Sequence, residues 1–206
     1  MGESEFGSYV TVLKRDGVLE RDEDELRVKF DDAGPAYHEV DGTEFLIRQA
    51  TQDDLPAVVE TIHRALDDET YIVGTTLADE VDRDEVLLRH NELSSRVVFV
   101  ATVNGEVAGW VHLEHPETPA LAHTAELTLG VVTDHRGKGI GRKLLARGSH
   151  CARDLGTEKL YNSVPTTNEG AIAFLESEGW ETEAIREDHY KIDGAYVDEV
   201  MMAYRP

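Results

Sequence analysis

Leu129-Gly130-Val131-Val132-Thr133-Asp134-His135-Arg136-Gly137-Lys138-Gly139-Ile140-Gly141-Arg142-Lys143-Leu144-Leu145 is the stretch on which the reading of this 206-residue chain turns. It starts as an apolar strand and ends as the opening of a helix, with three glycines at alternate positions between. Around it lies a basic island, His135–Arg153, which holds Arg136, Lys138, Arg142, Lys143, Arg147 and Arg153 and no carboxylate. The whole chain, by contrast, has a formal net charge of −22. Glycines at the mouth of a helix suit a polyanion, because bare main-chain N–H groups and the helix dipole converge there.

Three glycine-rich phosphate sites compete for this pattern. A P-loop needs Gly-Lys followed by a hydroxyl to hold magnesium, and here Gly141 is followed by Arg142-Lys143-Leu144. The dinucleotide fingerprint needs Gly-x-Gly-x-x-Gly early in a βαβ unit, whereas Gly137–Gly141 is Gly-x-Gly-x-Gly. The third pattern, Arg/Gln-x-x-Gly-x-Gly/Ala, is met by Arg136, Gly139 and Gly141. With it the chain resembles the acetyl-CoA site of the GNAT N-acetyltransferase superfamily. Thr51–Val59 is similar to that family's first helix, and Asn168, Ala171 and Phe174 ahead of Gly179-Trp180 are similar to its Asn-x-x-Ala motif before Gly-Phe. Lys191–Glu199 with Met201 and Met202 resembles the final hairpin of many members, so the likeness runs over about 45–206 in matching order.

The resemblance implies an α/β (α+β) fold, with a mixed, mostly antiparallel central sheet flanked by helices. It implies an enzyme that takes acetyl-CoA as co-substrate and acetylates a primary amine of a small molecule or a protein, by direct attack on the thioester. The diphosphate would sit on main-chain N–H groups of Gly137, Lys138, Gly139, Ile140, Gly141 and Arg142, with the side chains of Arg136, Lys138 and Arg142 adding charge. Leu129, Gly130 and Val131 would pair with the pantetheine arm like an added strand. Asn168 would hydrogen-bond the cofactor, with Ala171 and Phe174 beside the arm; plain helix capping is the other reading of Asn168. Glu126, ten residues before Arg136, stands where phosphinothricin-acetyltransferase-like members carry a glutamate and is the candidate base. Its other reading is one more surface carboxylate among 42 acidic residues.

The expected acid is missing. Relatives often carry a tyrosine four residues before the Gly-Phe pair, and here that position is Leu175. Tyr161, His189 and Tyr190 are the substitutes on offer, beside water or the amine's own proton. The acceptor is expected between Asp67–Leu77, with Asp67, Asp68, Glu69 and Tyr71, and the last hairpin with Tyr190. A non-catalytic acetyl-CoA-binding module is the alternative function. His112 and His115 are the closest histidine pair, but on a strand they point to opposite faces, so no metal site is expected.

Composition bounds the rest. Hydrophobic residues make up 40% and charged residues 30%, which is a globular balance. The charge argues against nucleic-acid partners, and no apolar run approaches the length of a membrane span. Met1–Phe6 lacks the basic and apolar regions of a signal peptide, so a cytoplasmic protein is expected, and the single Cys151 excludes an internal disulfide. Two acidic residues per basic one, with 14 arginines against 6 lysines, resemble proteins of salt-loving organisms.

Residues 1–44 read as an N-terminal β extension, with strands within Tyr9–Phe30 and a connector at Asp31–Gly42; 45–206 read as the acetyltransferase domain. An extension made of strands suits a homodimer. Within the domain, Phe45–Ala50 is a strand and Thr51–Asp54 a capping-box helix start. Asp79–Leu93 reads as a second helix. Asn104-Gly105 is a hairpin turn between Arg96–Val103 and Glu106–Leu113. Ala125–Thr133 and Lys159–Val164 are strands, Glu169–Glu178 a helix, and Ala184–Ile192 and Ala195–Tyr204 the final hairpin.

Overall fold

A computed structural model describes residues 19–22, 25–28, 34–66, 78–79, 87, 89–90, 95–116, 118–192 and 194–206. Strands β1 (Leu19–Asp22) and β2 (Glu25–Val28) form a two-stranded antiparallel hairpin. The remaining strands build one nine-stranded sheet: β3 (Ala36–Val40), β4 (Thr43–Gln49), β5 (Arg89–His90), β6 (Ser95–Val103), β7 (Glu106–His115), β8 (Thr124–Val131), β9 (Lys159–Pro165), β10 (Glu181–Ile192) and β11 (Ala195–Tyr204). Its order is β10-β11-β9-β8-β7-β6-β4-β3, with β5 added to β6, and only β8 and β9 run parallel. The mixed, mostly antiparallel sheet with helices on it is the expected architecture.

Local chemistry accounts for the joints. Asn104 and Gly105 both have positive φ, 53° and 87°, as the tight turn between β6 and β7 demands. The Thr51 N–H donates to Asp54 Oδ2 at 2.7 Å, and Arg48 grips the same carboxylate with both terminal nitrogens, at 2.6 and 2.8 Å. A 3₁₀ turn, Gln52–Asp54, then feeds helix α1 (Leu55–Leu66). Burial together with the Arg48 and Thr51 bonds leaves the Asp54 carboxyl below its ordinary range, the bonds outweighing the burial.

Two helices cover the opposite sheet face. Helix α2 (Ile140–Asp154) turns Ile140, Leu144, Leu145, Gly148, Cys151 and Ala152 inward, against Val111, Leu113, Leu127 and Leu160. Helix α3 (Glu169–Ser177) adds Leu175 to the same core. On the other face α1 packs Val58, Ile62 and Ala65 on Val98, Val100 and Trp110. Cys151 is a buried free thiol within the core.

Two sequence expectations change. The connector at Asp31–Gly42 contains strand β3, which pairs with β4 in the main sheet. The turn at Asp41-Gly42, with positive φ at both residues, joins two strands of one hairpin rather than an extension to a domain. The helix expected over Asp79–Leu93 does not reach its end: Arg89–His90 pair with Arg96 and Ser95 as β5, because an extended segment satisfies the free edge of β6. The strands expected at Tyr9–Leu13 lie outside the described residues.

Candidate active site

Strands β8 and β9 pair only over Thr124–Glu126 and Lys159–Tyr161, and beyond that point they part. The Asn162 side-chain amide donates to the Leu127 carbonyl at the parting, where a ladder bond would otherwise form. The gap becomes a cleft of about 580 Å³. Thr128–Val131 form one wall, Asn162–Pro165 the other, and Asn168, Ala171, Phe174 and Leu175 close it from α3. Its mouth is the turn that starts α2, where Gly137 and Gly139 take φ values of 73° and 76°.

That mouth offers main chain. No side chain caps α2, and the Lys143 N–H bonds back to Gly139 O at 3.2 Å. The amides of Ile140, Gly141 and Arg142 precede that bond, so helix geometry gives them no partner within the helix. A Cβ on Gly139 would meet Val40 at 3.0 Å in a backbone conformation that L side chains resist. A Cβ on Gly130 would sit 2.1 Å from the Trp110 ring, so glycine is what lets that wall and the indole share the space.

The basic side chains are largely occupied elsewhere. Arg136 donates to the carbonyls of Val131 at 2.9 Å and Ala65 at 3.1 Å, tying the end of β8 to the end of α1. Lys138 donates to Asp134 O, Arg142 bonds Glu178 at 2.7 Å, and Arg147 reaches Gly34 O. Leu129, Gly130, Val131, Arg136, Gly137, Gly139, Gly141, Arg142, Asn168, Ala171 and Phe174 all line the cleft. Lys138 and Ile140 do not: Lys138 turns to its own loop and the Ile140 side chain sits in the core. Asn168 meets its capping reading. Its Oδ1 accepts from the Ala171 N–H at 3.1 Å, capping α3, and its buried Nδ2 has no hydrogen-bond partner.

Next to Thr128, outside the cleft lining, the chemistry changes to side chains. Register puts Glu114 opposite Glu126, Glu126 beside Tyr161, and His112 opposite Thr128, and paired residues project to the same face. Burial pushes the Glu126 carboxyl above its ordinary range; His112 opposes the shift, and the charges of Glu114 and Glu199 add to it. Glu114 goes the other way. Burial works against its charge, but His112, 3.2 Å away, and the buried Arg96, 3.5 Å away, hold its carboxyl low. Burial and the carboxylates of Glu126 and Glu114 raise the Tyr161 phenol.

Tyr190 lies on the same side but is committed. Its hydroxyl donates to Glu199 Oε1 at 2.7 Å, and Arg186 binds the other oxygen at 2.9 Å. Burial and that bond raise the Tyr190 phenol strongly. Tyr71 lies outside the described residues. His112 and His115 have separate partners, Glu114 and Thr157.

Sequence reasoning missed His112, Glu114, Thr128, Asn162 and Glu199, as well as Val40 and Asp41, which line the cleft mouth. A signal existed for some. His112 and Glu114 interrupt an apolar strand at alternate positions, as Glu126 and Thr128 do in the next, which marks a polar patch on one face.

The model of the acetyltransferase (GNAT) family matches residues 59–180. The L-amino acid N-acyltransferase MnaT of Escherichia coli strain K12 is 29% identical over 137 residues, covering 65% of this chain and 78% of that protein. A GNAT-family acetyltransferase structure from Streptococcus pneumoniae superposes with a TM-score of 0.68 at 21% identity, over 79% of this chain and 99% of that one. The structure of yncA from Salmonella typhimurium with its cofactor acetyl-CoA gives a TM-score of 0.62 at 24% identity, over 78% and 93% of the two chains.

Proposed function

This chain belongs to the acetyltransferase (GNAT) family, and we propose that it moves the acetyl group of acetyl-CoA directly onto a primary amine, with Glu126 as the base. The observation that carries the reading is an uncapped, glycine-lined helix mouth on a cleft whose wall includes Thr128, with the partly buried Glu126 carboxyl two residues before it on the same strand. The residues fit the co-substrate. Main-chain amides from Gly137 to Arg142 would take the diphosphate, the unpartnered Asn168 Nδ2 would donate to the arm, and Leu129–Val131 offer strand edges to its amides. When bound, the thioester supplies an activated acyl carbon.

The protein's own residues then do the rest. An amine with a pKa near ~10.4 is charged at neutral pH, so a group must take its proton before it can attack. Glu126, raised by burial, accepts that proton more readily than an exposed carboxylate does, directly or through a water. Tyr161 and Tyr190 are weak candidates for the returning proton, since their surroundings make both phenols harder to ionise. Glu114 and Glu199 are each paired with an arginine, Arg96 and Arg186, which fixes them beside Glu126.

The charge of −22 supports a salt-adapted protein, so activity is best sought at low and high salt. The test is thiol release from acetyl-CoA with a panel of amines, headed by L-amino acids, on which the named relative acts. Turnover with any amine is expected. Saturable acetyl-CoA binding without turnover for every amine would reduce the protein to a binding module.

A further inference from the structure

We propose that Thr128 is a catalytic residue, its hydroxyl donating a hydrogen bond to the sulfur that leaves when the acyl group is transferred. The proposal rests on the acetyl-transfer reading above and asks what that reading leaves unassigned. In the transfer, the amine nitrogen forms a bond to the acyl carbon and the carbon–sulfur bond breaks. A charged amine loses two protons on the way to the amide: Glu126 takes one before the attack, and after the nitrogen–carbon bond has formed the second leaves the nitrogen and passes through water to the sulfur, which departs with the electron pair. Until that proton arrives the sulfur is an anion in a buried place, and needs a donor.

Around Thr128 the cleft offers side-chain donors of different standing. Leu175, on the α3 wall, is apolar and buried. The Asn162 amide is anchored on Leu127 O by one of its two hydrogens, and the Tyr190 hydroxyl is committed to Glu199. Asn168 Nδ2 also lacks a partner, but it stands at the start of α3, on a different wall from β8, and is assigned above to the arm. Thr128 is different. It lines the cleft, is 4% exposed, and its Oγ1 has no hydrogen-bond partner. It stands two residues beyond Glu126 on β8, hence on the same face, at the point where the strands have just parted. Burying a hydroxyl without a partner costs stability, so a position that keeps one is better explained by a ligand than by packing.

The test uses free CoA as the probe, so it does not depend on knowing the amine. The thiol of bound CoA is titrated by thiolate ultraviolet absorbance in the wild type, Thr128→Val, Thr128→Ser and Ser163→Ala. A hydrogen bond to the thiolate lowers the thiol pKa, so Thr128→Val is expected to raise it by about one unit. Thr128→Ser should keep the wild-type value, and Ser163→Ala, from the facing wall, should not move it. Thermal unfolding supplies a second reading: free Thr128→Val should melt no lower than the wild type, because it deletes an unsatisfied group. An unmoved thiol titration in Thr128→Val, or a shift confined to Ser163→Ala, overturns the assignment alone. Absence of saturable CoA binding by the wild type overturns the acetyl-transfer reading together with it.

Discussion

The mouth of the cleft and the patch beside Thr128 are made by opposite means. At the mouth, Gly137–Gly141 withdraw side chains so that main-chain amides stand bare, and the nearby cations are tied to carbonyls and to Glu178. Next to Thr128, side chains from four strands come together, and burial and the charges of their neighbours move their acidities apart: Glu126 up, Glu114 down. A main-chain site can be written in five consecutive residues. A side-chain site of this kind exists only once β7, β8, β9 and β11 lie in register.

The comparison would break most visibly at Glu126. Glu126→Gln keeps the shape but removes the proposed proton acceptor, and kcat should fall about 1,000-fold, while acetyl-CoA affinity by calorimetric titration stays within about twofold. Equal losses in both would mean the two regions are one site. Gly139→Leu tests the mouth. It forces a side chain into a positive-φ position and against Val40, and should weaken acetyl-CoA binding by about 100-fold with an unchanged circular-dichroism spectrum. Wild-type affinity in that variant would remove the amides of this turn from the binding site.

The acidities sharpen the contrast. Turnover should fall roughly tenfold per pH unit below the raised Glu126 value, and this limb should vanish from the residual activity of Glu126→Gln. Stability carries the opposite sign. What Glu126 contributes is fully present below the ordinary carboxylate range and is lost as the pH rises through its raised value, since the folded state holds the proton more tightly. Asp54, held low by Arg48 and Thr51, contributes above the ordinary range and loses that contribution as the pH falls through its lowered value. Asp54→Asn, far from the chemistry, should cost about 1 kcal/mol, read as a fall in melting temperature of roughly 2–4 °C with kcat unchanged.

What the chain discloses by itself follows the same division. The glycine run, the Asn104-Gly105 turn and the Thr51–Asp54 helix start are legible because their causes lie within a few residues. Strand β3 is not, because Ala36–Val40 is five residues long and sits between Gly34-Pro35 and Asp41-Gly42, two turn signals that make it look like a loop. Glu126 can be singled out by its distance from Arg136, but Glu199, more than 70 positions away, joins it only through the sheet order. Arg136 shows the converse: its charge is plain in the sequence, and its use as a tie between β8 and α1 is not.

Val40 leans on Gly139, and Asp41 shares the cleft mouth with it. Anyone trimming the protein to its recognisable catalytic unit at residue 45 would therefore cut away a doorpost. The shortened molecule would keep every residue of the glycine motif and still have a wider, less guarded entrance to its cleft.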